Sequence, residues 1–181
     1  IYAKLMQKTA GELKTMLEKH EIDIALSYGY ADNPSEIEST PLYNDHLAAI
    51  VRTTHPLAKY DKVKLDELTK YSFALPAQNI ISRRRLDKIL ANKNLTLDVR
   101  MEMSMAMPLF HIVRTSNLIT VLSTTSLKPA PYTDLKAIMI DEDDCVLQGS
   151  FHTIKGSYHK HSVKEFLRLM LENINFYKLD R

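Results

Sequence analysis

Apolar and polar positions change period several times along this chain, and each change marks an element. Residues 1 to 6, IYAKLM, form an apolar, strand-like run. In TAGELKTMLEKH, which follows, Leu13, Met16, Leu17 and His20 recur at helical spacing, and Thr9 with Glu12 makes the T-x-x-E capping box that starts such a helix. IDIAL then reads as a short buried strand, and a polar loop rich in Asn, Pro, Ser and Glu leads to a second strand, HLAAIVRT, closed by HPLA. Beyond it SFALP is a strand, RRRLDKILANK a helix, LDVRMEMS a strand and PLFHIVRT a helix with Pro108 near its first turn. LITVL and KAIMI are further strands, and VLQGSFHTI is a long one. The last helix carries Val163, Phe166, Leu167, Met170, Leu171 and Ile174 as one stripe, with Ser162 and Glu165 as a second capping box.

This alternation of strands and helices predicts an α/β fold with largely parallel strands, in which ligands bind at the carboxyl ends of strands where helix N-termini converge. At 181 residues the chain can form one large domain or two small lobes. Its 45% hydrophobic and 25% charged residues are those of an ordinary globular protein. Twenty-four Lys and Arg against 22 Asp and Glu leave a net charge of +2, too little for a global basic field that would by itself argue for nucleic-acid binding. A single cysteine, Cys145, excludes an internal disulfide and a Cys-rich zinc site and fits a reducing cytoplasm. No apolar run reaches the roughly 20 residues of a bilayer span, and no signal-peptide pattern is present. With four glycines the chain has no G-x-G-x-x-G or Walker-type loop. It starts at Ile1, already inside an apolar run, and reads as a piece of something longer.

Taken in order, ELKTMLEKHEIDIAL, PLYNDHLAAIVRTTHPLA, VKLDELTKYSFALP, RRRLDKIL, MEMSMAMPLFHIVRTSNLITVLS and SVKEFLRLM resemble the effector-binding domain of LysR-type transcriptional regulators. The resemblance covers nearly the whole chain. It implies a two-lobed α/β fold like that of type 2 periplasmic binding proteins, with lobe I at residues 1–49 and 148–181, lobe II at 50–147, and the long strands around Ala49 and Gln148 as crossings. It also implies that lobe I lacks an opening strand and helix in this chain. A small effector, an organic acid or amino-acid-like metabolite, would bind between the lobes and bias a homodimer or homotetramer. DNA would be held only through an N-terminal winged helix-turn-helix absent from this chain. The expected location is cytoplasmic, with no membrane contact, no cofactor and no enzymatic activity. A solute-binding protein of the same fold, serving transport, is the alternative. Where the family often has a Gly-x-Gly turn and a Pro, this chain has Ser116, Leu118 and Ser123.

Thr9 and Ala10 open a helix directly after a strand, so their turn offers free N–H groups and partial positive charge to an anionic effector; a plain N-cap is the blander reading. QNIISRRR is the counterpart in lobe II, with Ser82 as the expected cap, Ile80 and Ile81 as an apolar wall, and Arg83, Arg84 and Arg85 crowding the positive helix end, where an anion, a partner's acids or solvent would relieve them. Thr9 and Ser82 are expected to face each other across the cleft. Tyr28 and Ser104 follow strand ends where ligands usually lie. Asp23, between two isoleucines, reads as a structural acid that accepts backbone N–H bonds at the helix-to-strand turn. His159 and His161 lack a third metal ligand at recognisable spacing. Cys145, inside DEDDCVL, is surrounded by acids that oppose a thiolate.

Overall fold

The computed structural model describes residues 3–28, 36–128, 132–157 and 160–173. Its elements, in chain order, are α1 (Ala10–Glu18), β1 (Ala25–Tyr28), β2 (Ile37–Arg52), β3 (Lys62–Val63), α2 (Leu65–Leu68), β4 (Ser72–Pro76), α3 (Ile81–Asn92), β5 (Asp98–Met103), α4 (Ala106–Thr115), β6 (Thr120–Ser123), β7 (Leu135–Ile140), β8 (Val146–Ile154) and α5 (His161–Asn173). They fall into two compact units, residues 1–44 with 148–181 and residues 45–147. The strands β2 and β8 pass from one unit to the other.

In the first unit β1 pairs antiparallel with β8, from Ala25 opposite His152 to Tyr28 opposite Gly149, and β8 lies next to β2. Leu17 of α1 packs with Ala25 and Ile37, supported by Leu13, Ile22 and Ile154. Gly149 is required by its neighbour: a Cβ there would lie 2.6 Å from the Tyr43 ring, which also meets Tyr28 edge-on at 6.1 Å. His152 is fully buried, its Nε2 2.9 Å from Ser27 Oγ and its Nδ1 2.8 Å from Ser39 Oγ. Burial holds this imidazole below its ordinary value, against the opposing effect of a hydrogen bond to the Ser27 backbone. The unfolded chain therefore takes up the proton first as pH falls, so stability is level above about pH 6.5 and declines below it. Urea midpoints at neutral and mildly acidic pH test this: His152→Gln should show a shallower acid decline than the parent chain.

In the second unit the later half of β2 runs antiparallel between β6 and β7, and β3 joins β7 in parallel. β4 and β5 pair in parallel, and β4 also bridges Ile119 just ahead of β6. Leu47 to Val51 have no exposure at all, as expected of a strand covered on both faces. Around Ile50 pack Phe110 and Val113 of α4 with Leu122 and Leu135, and the Tyr132 ring meets Phe110 at a tilt, 4.9 Å between centres.

Several expectations are corrected. The strands are mixed rather than largely parallel, because, of the two long strands that pass between units, β2 pairs antiparallel with β6 and β7, and β8 pairs antiparallel with β1. Residues 3–9 are not a strand, and Leu5 stays 87% exposed. The expected polar loop from residue 37 to 44 is the first half of β2, masked by Pro41 and by polar residues on a half-solvated strand. His20 leaves the α1 face, with φ +56° beyond the helix end. Ser162 lies inside α5 rather than capping it, and Glu165 instead pairs with Arg168. Asp23 is exposed and, accepting no backbone N–H among the described residues, lies 3.6 Å from Lys160 Nζ, a surface pair of small energetic weight. Ile174 and His159 lie outside the described residues.

Candidate functional site

Parallel pairing of β4 and β5 sends both strands out at one edge, and a helix starts beyond each of them. Such an edge gathers helix N-termini, with their unpaired N–H groups and partial positive charge. The Ala77 N–H donates to the Met103 carbonyl at 2.8 Å and ties the two exits together, while the Ile80 N–H donates to the Ala77 carbonyl at 2.9 Å and turns the chain into α3. The N-caps are Ile80 for α3 and Met105 for α4; both have the extended backbone of a cap, and neither supplies a side-chain acceptor. The first turns of both helices are thus left without the usual side-chain cap.

Ser82 is not the cap expected from its position. It lies in the first turn of α3, 4% exposed, and its hydroxyl has no hydrogen-bond partner among the described residues. Arg83 also departs from expectation. Its guanidinium is turned inward, 6% exposed, donating from Nε to Asp87 at 2.7 Å and from NH1 to Glu102 at 2.6 Å and the Pro76 carbonyl at 3.1 Å. Burial works against its charge, but the two carboxylates outweigh that and raise its pKa further. The crowding of arginines at this helix end is therefore relieved from within, by one acid a turn along α3 and one on β5. Arg84 is exposed, and Arg85 is half-buried on the side of the Cys145 thiol. Ile80 and Ile81 are half-buried, and Ser104 is exposed between β5 and Met105. The structure therefore brings together, within the second unit, Ile80, Ile81, Ser82, Arg83 and Ser104.

Thr9, Ala10 and Tyr28 belong to the first unit. Thr9 caps α1 as the sequence indicates: its Oγ1 accepts the Glu12 N–H at 3.3 Å, and Glu12 Oε2 accepts both the Thr9 N–H and hydroxyl at 2.8 Å. The amide bond from Thr9, then its hydroxyl, holds the Glu12 carboxyl below its usual range. An anion approaching Ala10 would meet this carboxylate, so the α1 turn is already occupied by its own chain. Tyr28 ends β1 with its ring against Tyr43. A hollow of about 410 Å³ in the first unit is lined by Leu5, Met6, Leu13, Leu26 and Phe166, with Lys4 and Ser162 among its polar residues.

The buried acid Asp45 escaped the sequence reading. It has no exposure, and accepts from Thr124 and Thr125 hydroxyls at 2.5 Å each and from the His46 N–H at 2.8 Å. Its signal is faint: an acid at the head of an apolar strand, and a Thr-Thr pair some eighty positions on. The Cys145 thiol is buried, and burial, then Glu142 and Asp144, push its pKa up to about 12, so it stays protonated. Among the described residues no group of three or more His, Cys, Asp or Glu could hold a metal ion, and no helix is long and apolar enough to cross a membrane.

The chain is similar to known proteins in sequence and in fold. Residues 3–175 match the family model for the LysR substrate binding domain. The HTH-type transcriptional regulator cbl of Escherichia coli is 28% identical over 96 residues, 53% of this chain but 30% of that protein, so the match spans under a third of the relative's length. Among solved structures, the effector binding domain of QuiR in complex with shikimate superposes with a TM-score of 0.77 at 22% identity, covering 96% of this chain and 81% of that one. The Synechocystis PCC6803 CcmR regulatory domain in complex with 2-PG gives 0.80 at 16% identity, covering 93% and 81%. At these identities the structural likeness is one of fold.

Proposed function

This chain belongs to the LysR substrate binding domain family, and from that premise we propose that it senses a small anionic metabolite at the carboxyl edge of β4 and β5. Binding there would shift a conformational equilibrium of a transcriptional regulator, and couplings of about 1 to 3 kcal/mol suffice for such control. In this reading the chain performs no chemistry, works in the cytoplasm as part of a homodimer or homotetramer, and reaches DNA only through a winged helix-turn-helix elsewhere in the regulator. The family match favours this over a transport protein.

The observation that carries the site is the pair of helix starts without side-chain caps, α3 at Ile81 and α4 at Ala106, on one edge of a parallel strand pair. Their N–H groups are the donors, Ile80 and Ile81 give an apolar wall, Ser82 and Ser104 add hydroxyls, and Arg83 positions the edge without touching the ligand. Thr9, Ala10 and Tyr28 keep structural roles in the first unit.

Proline tests the donors one at a time. Ile81 is the first residue of α3, where proline is favoured, and Ile80 at ψ 136° already has the backbone that a following proline needs. Ile81→Pro removes one N–H and keeps an apolar ring in place; Ala106→Pro does the same for α4, whose N-cap Met105 has ψ 140°. Each should leave the melting temperature within a few degrees of the parent while weakening a ligand found by thermal-shift screening of organic acids about ten- to a hundredfold, the loss of one hydrogen bond to a charged group. Unchanged affinity in both variants would remove the site from this edge.

A further inference from the structure

We infer that the ligand of this edge is a small monoanion with an apolar body, aliphatic, aromatic or thioether, rather than a polyhydroxylated or multiply charged metabolite. The inference rests on the site proposed above and concerns what that site selects. Charge is the first argument. Each helix start carries about half a positive charge, so α3 and α4 together match roughly one negative charge. Arg83, the cation buried in the first turn of α3, adds nothing to this, because Asp87 and Glu102 surround it and leave that network with one net negative charge. A second carboxylate or a phosphate dianion would find no buried cation waiting for it.

The walls are the second argument. Helix starts usually carry Ser, Thr, Asp or Asn at the cap, and here they carry Ile80 and Met105. Met105 is 64% exposed and Met107, in the first turn of α4 with its sulfur accepting the Tyr132 hydroxyl at 3.3 Å, 61%, while Ile80 and Ile81 are half-buried. Each cap forgoes a hydrogen bond and holds apolar surface in water, two costs that an apolar ligand body lying across Ile80, Ile81, Met105 and Met107 would offset. Methionine suits such a role, since its flexible, polarisable thioether adapts to aliphatic and aromatic partners alike. Independently of both helix ends, the buried Ser82 hydroxyl in the same turn has no partner among the described residues, which leaves at this spot a polar group that the chain does not itself satisfy. Its oxygen is closed to solvent in this arrangement, so a carboxylate reaches it only as the first turn of α3 yields, and one hydroxyl then serves a single carboxylate rather than the several hydroxyls of a polyol.

Calorimetric titration of the chain with two sets of probes tests this. The first is a series of monocarboxylates from butanoate to octanoate with benzoate and phenylacetate, and the second comprises shikimate, 2-phosphoglycolate and citrate. Affinity in the first set should climb about fourfold per added methylene and exceed that of every probe in the second. In a Met105→Gln/Met107→Gln variant the climb should flatten to about twofold or less per methylene, with the shortest acid little affected, and Arg84→Gln should leave the series unchanged. The inference is overturned if the second set binds more tightly, if Arg84→Gln weakens binding about tenfold, or if no monocarboxylate binds up to about 10 mM. Failure of the site itself looks different: the monocarboxylates bind, and Ile81→Pro and Ala106→Pro change none of their affinities.

Discussion

Replacing Arg83 with methionine lowers the stability of the second unit by about 2 to 3 kcal/mol, whereas Arg84→Met, one position on and exposed, stays within about 0.5 kcal/mol. The difference lies in what each guanidinium touches. Arg83 gathers acceptors from three elements: Asp87 on α3, the Pro76 carbonyl at the end of β4, and Glu102 on β5. Methionine fills a similar volume but donates nothing, so all three acceptors lose their partner. Breaking a fully buried ion pair costs about 3 to 5 kcal/mol; here the Asp87 and Glu102 side chains keep 41% and 44% of their exposure and can turn back to water, which sets the lower figure. Arg83→Lys recovers only part of the loss, because one ammonium cannot reproduce the fork that reaches Asp87 and Glu102 from separate nitrogens. Urea unfolding, together with amide exchange in β4 and β5, measures the effect. The same variant should weaken ligand binding, since Arg83 pins the first turn of α3 to the strand ends. A loss below about 0.5 kcal/mol would show that the network is ornamental.

The contrast between Arg83 and Ser82 shows what a one-dimensional reading can reach. The pattern QNIISRRR correctly marks a helix start after a strand, and such starts are local: they follow from periodicity and from the short reach of a cap. Which residue of that stretch becomes the cap depends on where the chain leaves the sheet. The bond from Ala77 to Met103 moves the start of α3 to Ile81 and carries Ser82 into the first turn. Likewise nothing in the spacing of Arg83 announces Glu102, nineteen positions on, because that contact exists only once β4 and β5 have paired in parallel. Thr9 was legible because its partner, Glu12, is three residues away. β8 was legible end to end, as VLQGSFHTI, because its strand pattern runs without interruption. The first half of β2 was not, because Pro41 and the exposed Glu38 and Thr40 give a strand that is wet on one side the composition of a loop.

Asp45 is the group whose loss should cost most. Its carboxylate, with no exposure at the head of the β2 segment in the second unit, accepts hydrogen bonds from the Thr124 and Thr125 hydroxyls and from the His46 N–H. The 3-10 turn Thr124–Leu127 that follows β6 is thereby fastened to β2, the strand with which β6 pairs. Asp45→Ala leaves three donors facing a cavity and should destabilise the second unit by about 3 to 5 kcal/mol, since each hydrogen bond to a charged group is worth about 1.5 to 3 kcal/mol and buried donors without acceptors add their own penalty. Asp45→Asn keeps one acceptor oxygen but turns an amide donor towards the hydroxyls, and should recover less than half of that loss. The asymmetry of hydrogen bonding gives a sharper test. Removing donors and acceptor together costs less than removing the acceptor alone, so Asp45→Ala combined with Thr124→Val and Thr125→Val should be more stable than Asp45→Ala by about 1 to 2 kcal/mol. Urea unfolding of the four chains, with amide exchange at His46 as a local probe, decides the matter. If the triple variant is no more stable than Asp45→Ala, the threonine bonds are not what makes this carboxylate necessary, and the anchoring of the turn must come from packing instead.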